Sequence, residues 1–160
     1  MKNRLFFESP LGDITLYSVD GKLCALQFAK EETCAPDAVL FETQKQLCEY
    51  FDGKRRQFDL PLLFDGTSFQ KDVWNALLKI DYCQCVSYTG LAKLCGHATA
   101  VRAVGSAVGK NPIPIIVPCH RVVCADGSIG GFSCGLDKKR ALMDVENIAH
   151  EGVKIQIFPI

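Results

Sequence analysis

The alternation of apolar and polar residues predicts a three-stranded antiparallel meander at the start of the chain. Over residues 1–28 apolar side chains tend to occupy every second position, and the pattern breaks at Ser9–Gly12 and at Asp20-Gly21. A period of two is typical of strands with one buried face, and Asp-Gly is a preferred hairpin turn. The spacing becomes helical over residues 36–51, so this part of the chain is predicted to be a small α+β unit.

Helical spacing dominates from Thr67 onward. Thr67 and Gln70 have the spacing of a capping box, and the apolar residues after them predict a helix that continues through Ile80. Two short helices are predicted next, over Gly90–Leu94 and over residues 97–109. A helix pair joined by a glycine-containing turn is a helix-turn-helix pattern. That pattern alone is a weak signal, because such pairs occur in many all-α proteins.

The second of these short helices is unusually slim. Its small residues are Ala98, Ala100, Ala103, Gly105, Ser106 and Ala107. Val101, Val104 and Val108 form its inner face, while Arg102, Ser106 and Lys110 fall on the other. Glycine, serine and valine are poor helix formers, so helix propensity does not explain this composition. Close approach to another surface would explain it, and tight packing inside the protein is the alternative.

Composition favours one compact domain, or two small ones that share an interface. The chain has 160 residues, 48% of them hydrophobic and 22% charged, with a formal net charge of zero. No apolar run approaches the roughly 18–20 residues that cross a membrane, and the first residues do not form a signal peptide. Nine cysteines, an odd number, predict reduced thiols and a cytoplasmic protein rather than a disulfide framework.

Charge is distributed unevenly, and one stretch of the chain excludes acidic residues. Residues 82–125 contain Lys93, Arg102, Lys110 and Arg121 but no aspartate or glutamate. Such a stretch is a modest indication of a polyanionic partner, of which nucleic acid is the commonest. A mildly basic surface without a dedicated partner is the alternative interpretation.

A cysteine, a histidine and an arginine stand together in the apolar segment IPIIVPCHRVVC. Pro114 and Pro118 favour an extended, stiff backbone that would hold Cys119 with little conformational freedom. A thiol attacks as the thiolate, and basic groups such as His120 and Arg121 can lower its pKa. Adjacent side chains on an extended chain point to opposite sides, so His120 is expected to reach Cys119 through a water. By itself the Cys-His pair also fits a buried structural cysteine.

A metal site is not predicted. Cys83 and Cys85, and likewise Cys119 and Cys124, lack the ligand spacings of structural zinc sites, and the chain has three histidines. The remaining cysteines are scattered along the chain, as small buried residues commonly are. We therefore expect neither a metal ion nor a cofactor.

The cysteine-containing segment resembles a known family. Residues 118–123, Pro-Cys-His-Arg-Val-Val, follow Asn111-Pro112 and precede Gly130–Ser133 and a helix over Asp137–Glu146. This order is similar to that of the O6-alkylguanine-DNA alkyltransferases, also called methylated-DNA–protein-cysteine methyltransferases. The similarity continues upstream at Arg102–Gly105, Val86–Tyr88 and Thr67–Trp74. It covers residues 60–147 closely and the part before them loosely.

The resemblance implies a fold and an activity. It implies an α+β protein in which residues 1–66 form a small N-terminal α/β domain of the ribonuclease H-like kind with a linker. Residues 67–160 would form a mostly helical C-terminal domain with a winged helix-turn-helix. The implied activity is direct-reversal DNA repair, an irreversible transfer of an alkyl group from O6 of guanine, with O4 of thymine as a further candidate substrate. The implied partner is double-stranded DNA, bound through its minor groove by a monomer.

The resemblance also implies roles for residues of the reaction centre. Cys119 would accept the alkyl group after the nucleotide has flipped out of the duplex, and His120 would activate the thiol through a water. Glu146 would orient the histidine, and Asn111 would brace the active-site loop. Tyr88 would crowd the phosphate beside the target and help to protonate the leaving guanine.

Further residues would contact DNA or the flipped guanine. Arg102 would enter the base stack in place of the flipped nucleotide, and a slim helix suits a minor groove that is about 6 Å wide. The other DNA contacts are expected at Tyr88, Thr99, Ser106, Lys110 and Arg121. The guanine pocket is expected to be lined by Pro114, Val122 through its backbone carbonyl, Phe132 and Ser133.

One loop of the chain departs from the family pattern, and two other functions are also compatible with the sequence. Asp81–Cys85 reads DYCQC where the family often has a Pro-Tyr-Gly turn, so the shape of this loop is not predicted. One alternative function is a helix-turn-helix regulator in which Cys119 has no chemical role. The other is a Cys-His hydrolase, which would turn over repeatedly.

Overall fold

Two units make up the chain. The computed structural model describes residues 2–159, and internal contacts divide the protein into Met1–Asp65 and Gly66–Ile160. The division predicted after residue 66 differs from this one by one residue. Within the described residues, no helix combines the length and the apolar composition that a membrane-crossing segment requires.

The first unit begins with an antiparallel meander. Strands β1 (Asn3–Ser9), β2 (Gly12–Val19) and β3 (Lys22–Gln27) form a sheet in the order β1-β2-β3. Between β2 and β3 the chain makes a tight turn in which Asp20 and Gly21 both have positive φ, 52° and 74°. Positive φ at both central positions matches the right-handed twist of the paired strands, which explains the Asp-Gly sequence at this turn.

One helix packs on the sheet of the first unit. Helix α1 (Ala38–Phe51) begins at Asp37, whose side chain accepts a hydrogen bond from the Leu40 amide. Leu40, Leu47 and Tyr50 are fully buried, and the helix contacts all three strands. The unit is therefore the small layered structure of strands and one helix that the sequence pattern predicts.

Helices dominate the second unit. Its elements are α2 (Ser68–Leu77), β4 (Val86–Ser87), α3 (Tyr88–Leu94), α4 (Val101–Gly109), β5 (Val122–Val123) and α5 (Leu136–Val145). Helices α2, α3 and α4 pack against one another, and β4 pairs with β5 in parallel. The indole of Trp74 donates a hydrogen bond of 2.9 Å to the carbonyl of Ala107, which fastens α2 to α4.

Helix α2 has the predicted start but a different end. Thr67 and Gln70 form the capping box, each side chain accepting a hydrogen bond from the other residue's amide. The helix ends at Leu77, and turn hydrogen bonds carry the chain from there to Ile80. The apolar spacing continues through those turns, which is why the sequence predicted a longer helix.

The two short helices also start at other residues than predicted. Helix α3 begins at Tyr88 instead of Gly90, because the Ser87 hydroxyl accepts a hydrogen bond from the Gly90 amide and caps the helix there. Helix α4 begins at Val101, since the Ala100 amide bonds the His97 carbonyl and closes a turn before the helix. The helix-turn-helix arrangement remains, with a longer turn than the sequence indicated.

The proline-rich segment before Cys119 is not extended, although the sequence predicted it to be. The Val117 amide bonds the Ile113 carbonyl and closes a tight turn in which Ile115 has a φ of 75°. Residues Cys119–Arg121 then form one turn of 3-10 helix directly after Pro118. Proline fixes its own φ and lacks an amide donor, and neither property obstructs a short helical turn that starts after it.

Candidate active site

Cys119 is buried at the start of the 3-10 turn. The residue is 3% exposed, and burial raises the pKa of its thiol to about 12. A hydrogen bond with Asn111 and the positive charge of Lys139 act in the opposite direction. The lowered pKa expected from the neighbouring basic residues is not observed, because desolvation of the thiolate outweighs the favourable interactions.

His120 and Glu146 form a fully buried pair. His120 Nε2 lies 2.5 Å from Glu146 Oε2, and neither side chain is exposed. Burial lowers the pKa of His120 in spite of the hydrogen bond to Glu146, so the imidazole is neutral at pH 7. A neutral imidazole has one N–H, and Nε2 holds it in order to donate to the carboxylate. Nδ1 is then an acceptor, and it has no hydrogen-bond partner among the described residues.

Arg121 lies inside the protein and not on a DNA-facing surface. The residue is 6% exposed, and its Nε and Nη2 donate to the two carboxylate oxygens of Glu146 at 2.9 and 3.1 Å. Its Nη1 donates to the carbonyl of Ile80 at 2.7 Å. A two-point contact between guanidinium and carboxylate is a strong, directional interaction. The DNA contact predicted at Arg121 is therefore wrong, because its charge is neutralised inside the protein by Glu146.

Glu146 accepts hydrogen bonds from two segments of the chain. Besides His120 and Arg121, the backbone amide of Cys83 donates to Glu146 Oε1 at 2.9 Å. Burial opposes ionisation, but the hydrogen bond from His120 and the charge of Arg121 outweigh it and hold the pKa of Glu146 well below its usual value. The sequence did not reveal this amide, because backbone groups carry no sequence signal and the two residues are 63 positions apart.

The side chain of Asn111 joins the proline-rich turn to the thiol. Its Nδ2 donates to the Val117 carbonyl at 2.8 Å, and its Oδ1 accepts from the Ile113 amide at 2.9 Å. It also hydrogen-bonds the side chain of Cys119. These contacts fix the turn in front of the cysteine.

A cleft of about 380 Å³ opens between the helix pair and the loop before α5. It is lined by Tyr88, Gly105, Val108, Gly109, Gly131, Phe132 and Ser133. Burial, and then the thiols of Cys124 and Cys119, raise the pKa of Tyr88, so its phenol is protonated at the edge of the reaction centre. Pro114 and Val122, which were expected in the pocket wall, are buried and do not line this cleft.

Helix α4 has one side exposed to solvent and one side buried in the protein. The exposed residues of the helix and its flanks include four with polar side chains, Thr99, Arg102, Ser106 and Lys110. Val104 and Val108 are buried, whereas Val101 is half-buried rather than inside. A Cβ on Gly105 would lie 3.8 Å from the Tyr88 ring, so a small residue here keeps the cleft open.

A buried lysine on α5 was not recognised in the sequence. Lys139 has no exposed surface, and its Nζ donates to the carbonyls of Val122, Ile129 and Gly131 at 2.8, 2.5 and 3.0 Å. Burial lowers its pKa to about 8. The sequence did contain a signal for its burial, because Lys139 shares the helical spacing of apolar residues on one face of the helix. That face consists of Lys139, Leu142, Met143 and Glu146.

Comparison with known proteins assigns the family. Residues 68–148 match the model of the 6-O-methylguanine DNA methyltransferase DNA binding domain. Residues 4–64 match the model of the ribonuclease-like domain of the same family. The chain belongs to the methylated-DNA–protein-cysteine methyltransferase family. The resemblance found in the sequence is thereby confirmed, and so is the fold class, a ribonuclease-like α/β domain followed by a helical DNA-binding domain.

Relatives align with the chain over most of their length. The methylated-DNA–protein-cysteine methyltransferase of Methanosarcina acetivorans is 43% identical over 148 residues, which cover 88% of this chain and 95% of the relative. The Haemophilus influenzae protein of that name is 37% identical over 155 residues, with coverages of 91% and 86%. The crystal structure of Mycobacterium tuberculosis OGT in complex with DNA has a TM-score of 0.82 and 39% identity, covering 89% of this chain and 91% of that one.

Proposed function

We propose that Cys119 is the acceptor in a protein that repairs O6-methylguanine in DNA by transferring the methyl group to its own cysteine. The repair activity follows from membership of the family. One observation distinguishes Cys119 as the acceptor among the nine cysteines. Cys119 directly precedes His120, which a buried carboxylate holds by its Nε2. A thiol next to a base that is oriented by a third group is the arrangement of an activated nucleophile.

The proton path supports this assignment. Because Nε2 of His120 donates to Glu146, Nδ1 is the nitrogen left to take the thiol proton, through a water as the family resemblance implies. The fixed charge of Glu146 stabilises the imidazolium as the proton arrives. Burial raises the pKa of the Cys119 thiol, so a base that withdraws its proton is needed to form the thiolate. Attack then leaves a thioether without a hydrolysis step, so each protein molecule acts once.

The cleft beside Tyr88 is the proposed site of the flipped guanine. Its volume, about 380 Å³, falls within the range of small-molecule sites. Phe132 offers an aromatic face, Ser133 offers a hydroxyl for O6, and the protonated phenol of Tyr88 can donate to the leaving base. The nucleotide must leave the duplex to arrive here, because an alkyl group on O6 lies within the base stack.

The exposed side of α4 is the proposed DNA contact. Arg102 lies in the first turn of the helix and is free of the protein interior, so it can enter the space that the flipped nucleotide vacates. Thr99, Ser106 and Lys110 share this exposed side and are proposed to contact the backbone of the DNA. The relative from M. tuberculosis was crystallised with DNA, and its fold is similar to that of this chain.

Mass spectrometry after a single reaction tests the choice of cysteine. Wild-type protein mixed with a duplex that contains O6-methylguanine should gain one methyl group, located at Cys119 by peptide mapping, with an equal amount of guanine restored. Cys119→Ala should bind the same duplex and gain no mass. Cys95→Ala is a matched control, a half-buried cysteine at the end of α3, and it should react like wild type.

Two outcomes would refute the assignment. One is a methyl group on any other cysteine, and the other is an unchanged mass with an intact Cys119 thiol. A duplex with O4-methylthymine in the same assay tests the second substrate, which is accepted if the same cysteine becomes methylated.

A further inference from the structure

Lys139 determines the net charge of the buried reaction centre. Among the described residues of the second unit, the basic and acidic residues that are buried as a whole are His120, Arg121, Lys139 and Glu146. His120 is neutral, and the charges of Arg121 and Glu146 cancel in their ion pair. The remaining charge is that of Lys139, which has no carboxylate partner within residues 2–159.

Three backbone carbonyls hold this cation in place. An ammonium group has three N–H donors, and those of Lys139 are all used by Val122, Ile129 and Gly131. Val122 belongs to β5, directly after the 3-10 turn, while Gly131 lines the cleft. Lys139 thus ties the strand that follows the reactive cysteine to one wall of the cleft, and it retains no donor for the thiol itself.

Three thiols act on Lys139, and the charge of Lys139 also lowers the pKa of His120. Burial lowers the pKa of Lys139 to about 8, and Cys119, Cys85 and Cys124 act against this shift, so the ammonium is protonated at pH 7. Lys139 in turn lowers the pKa of Cys119. Of the three thiols, Cys119 is the one that directly precedes His120, the buried base.

We propose that Lys139 is a positioning residue for methyl transfer, which supplies the buried counter-charge for the Cys119 thiolate and holds two carbonyls in place, that of Val122 in the strand after the cysteine and that of Gly131 at the cleft. The inference rests on Cys119 being the acceptor. While His120 holds the thiol proton, the buried centre keeps its charge of one positive unit. Once that proton has left His120 the charge falls to zero, whereas without Lys139 it would fall from zero to one negative unit. A buried charge without a counter-charge is strongly unfavourable, so Lys139 favours the reactive state.

Lys139 makes and breaks no bond in the reaction. The sulfur of Cys119 bonds the methyl carbon, the bond between that carbon and O6 breaks, and its electron pair goes to the guanine. The proton that leaves the thiol through His120 is balanced by the one that the guanine takes up. The thioether is neutral, so the charge of Lys139 is again uncompensated after transfer.

Variants can separate the charge of Lys139 from its hydrogen bonds. Lys139→Gln retains N–H donors without charge, Lys139→Met removes both, and Lys139→Arg retains the charge. Arg140→Met is the matched control, since it removes one positive charge from the exposed side of the same helix. Each protein is reacted across a pH series with iodoacetamide and, separately, with a duplex that contains O6-methylguanine. Peptide mass spectrometry gives the rate at Cys119.

The rate at Cys119 should fall about tenfold at pH 7 in Lys139→Gln and Lys139→Met, with the pH profile displaced upward by about one unit. Lys139→Arg should recover to within about threefold of wild type, and Arg140→Met should match wild type. A Lys139→Gln profile that superimposes on that of wild type would overturn the counter-charge role. So would an equal loss in Lys139→Arg and Lys139→Gln.

Wild-type protein provides a further test that needs no substitution. When the lysine Cε atoms are labelled with carbon-13, the NMR resonance of Lys139 at pH 7 should be that of an ammonium group. The resonance of a neutral amine would overturn the proposal even if no variant folds.

Iodoacetamide measures ionisation of Cys119 independently of DNA. Failure of the wild-type duplex reaction therefore refutes the acceptor assignment, whereas unchanged iodoacetamide profiles in the variants refute the role of Lys139.

Discussion

At the residue scale, Cys83 combines an unfavourable backbone conformation with a contact to the reaction centre. Its φ is 66°, its side chain is exposed, and its amide donates to Glu146. A Cβ makes this left-handed conformation cost about 1–2 kcal/mol, a cost that glycine avoids. The Pro-Tyr-Gly turn that the family resemblance implies for this loop contains a glycine, the residue that adopts such a conformation without strain.

Replacing Cys83 by glycine should stabilise the protein. We expect Cys83→Gly to raise the free energy of unfolding by about 1 kcal/mol, because the backbone strain is relieved and the exposed thiol contributes no packing. Urea denaturation at pH 7 measures the change. Cys83→Ala is the control, since it keeps the Cβ and should leave stability unaltered. An equal gain in both variants would assign the effect to the thiol and not to the backbone.

At the scale of elements, helix α4 serves two surfaces at once. Val104, Ala107 and Val108 are buried, and Ala107 accepts the hydrogen bond from the Trp74 indole. Gly105 faces the Tyr88 ring, while Arg102 is exposed. The two interpretations of the slim helix, packing inside the protein and approach to an outer partner, therefore apply to different sides of the same element.

Shortening Arg102 should slow alkyl transfer from duplex DNA more than alkyl transfer from a free base. Arg102→Ala should slow transfer from a methylated duplex at least about tenfold, because flipping costs a few kcal/mol and the vacated space is no longer filled. Reaction with free O6-benzylguanine requires no flipping and should change less than about twofold. Both rates come from single-turnover assays, with exposed Lys79→Ala as a control for loss of charge. Equal losses on the two substrates would remove the proposed role.

At the scale of the whole molecule, two buried groups link stability to pH in the same direction. Burial keeps the pKa of His120 below its ordinary value of 6.5, so the unfolded chain takes up a proton at this residue before the folded protein does. The pKa of Glu146 is held below its ordinary value of 4.5, with the same consequence at lower pH. In both ranges the unfolded state binds more protons, so stability falls as the pH falls.

Acidification should therefore destabilise the protein in two stages. We expect the free energy of unfolding to fall below pH 6.5 by up to about 1.4 kcal/mol per pH unit, and more steeply below pH 4.5 as Glu146 contributes. Urea denaturation between pH 7 and pH 4 tests this. A variant with both His97→Gln and His150→Gln should retain the decline, because it keeps His120 and Glu146. Constant stability between pH 7 and pH 5 would contradict the prediction.

Local interactions were sufficient to predict much of this protein. The period-two alternation and Asp20-Gly21 predicted the meander, and Thr67 with Gln70 predicted the start of α2, since strand faces, hairpin turns and helix caps depend on neighbouring residues. The segment PCHRVV, with its ordered flanks, predicted the family because few other chemistries need that order of residues. These conclusions required no knowledge of which distant segments meet.

Burial and charge pairing were decided by the tertiary structure. Arg121 was predicted at the DNA and lies against Glu146, while Lys139 was overlooked and carries the unpaired buried charge. The left-handed backbone at Cys83 likewise has a contact with another segment, the hydrogen bond from its amide to Glu146. The physical reason is the same in each case. Whether a charge is solvated or neutralised, and whether a strained φ is tolerated, depends on atoms that other parts of the chain bring to that place.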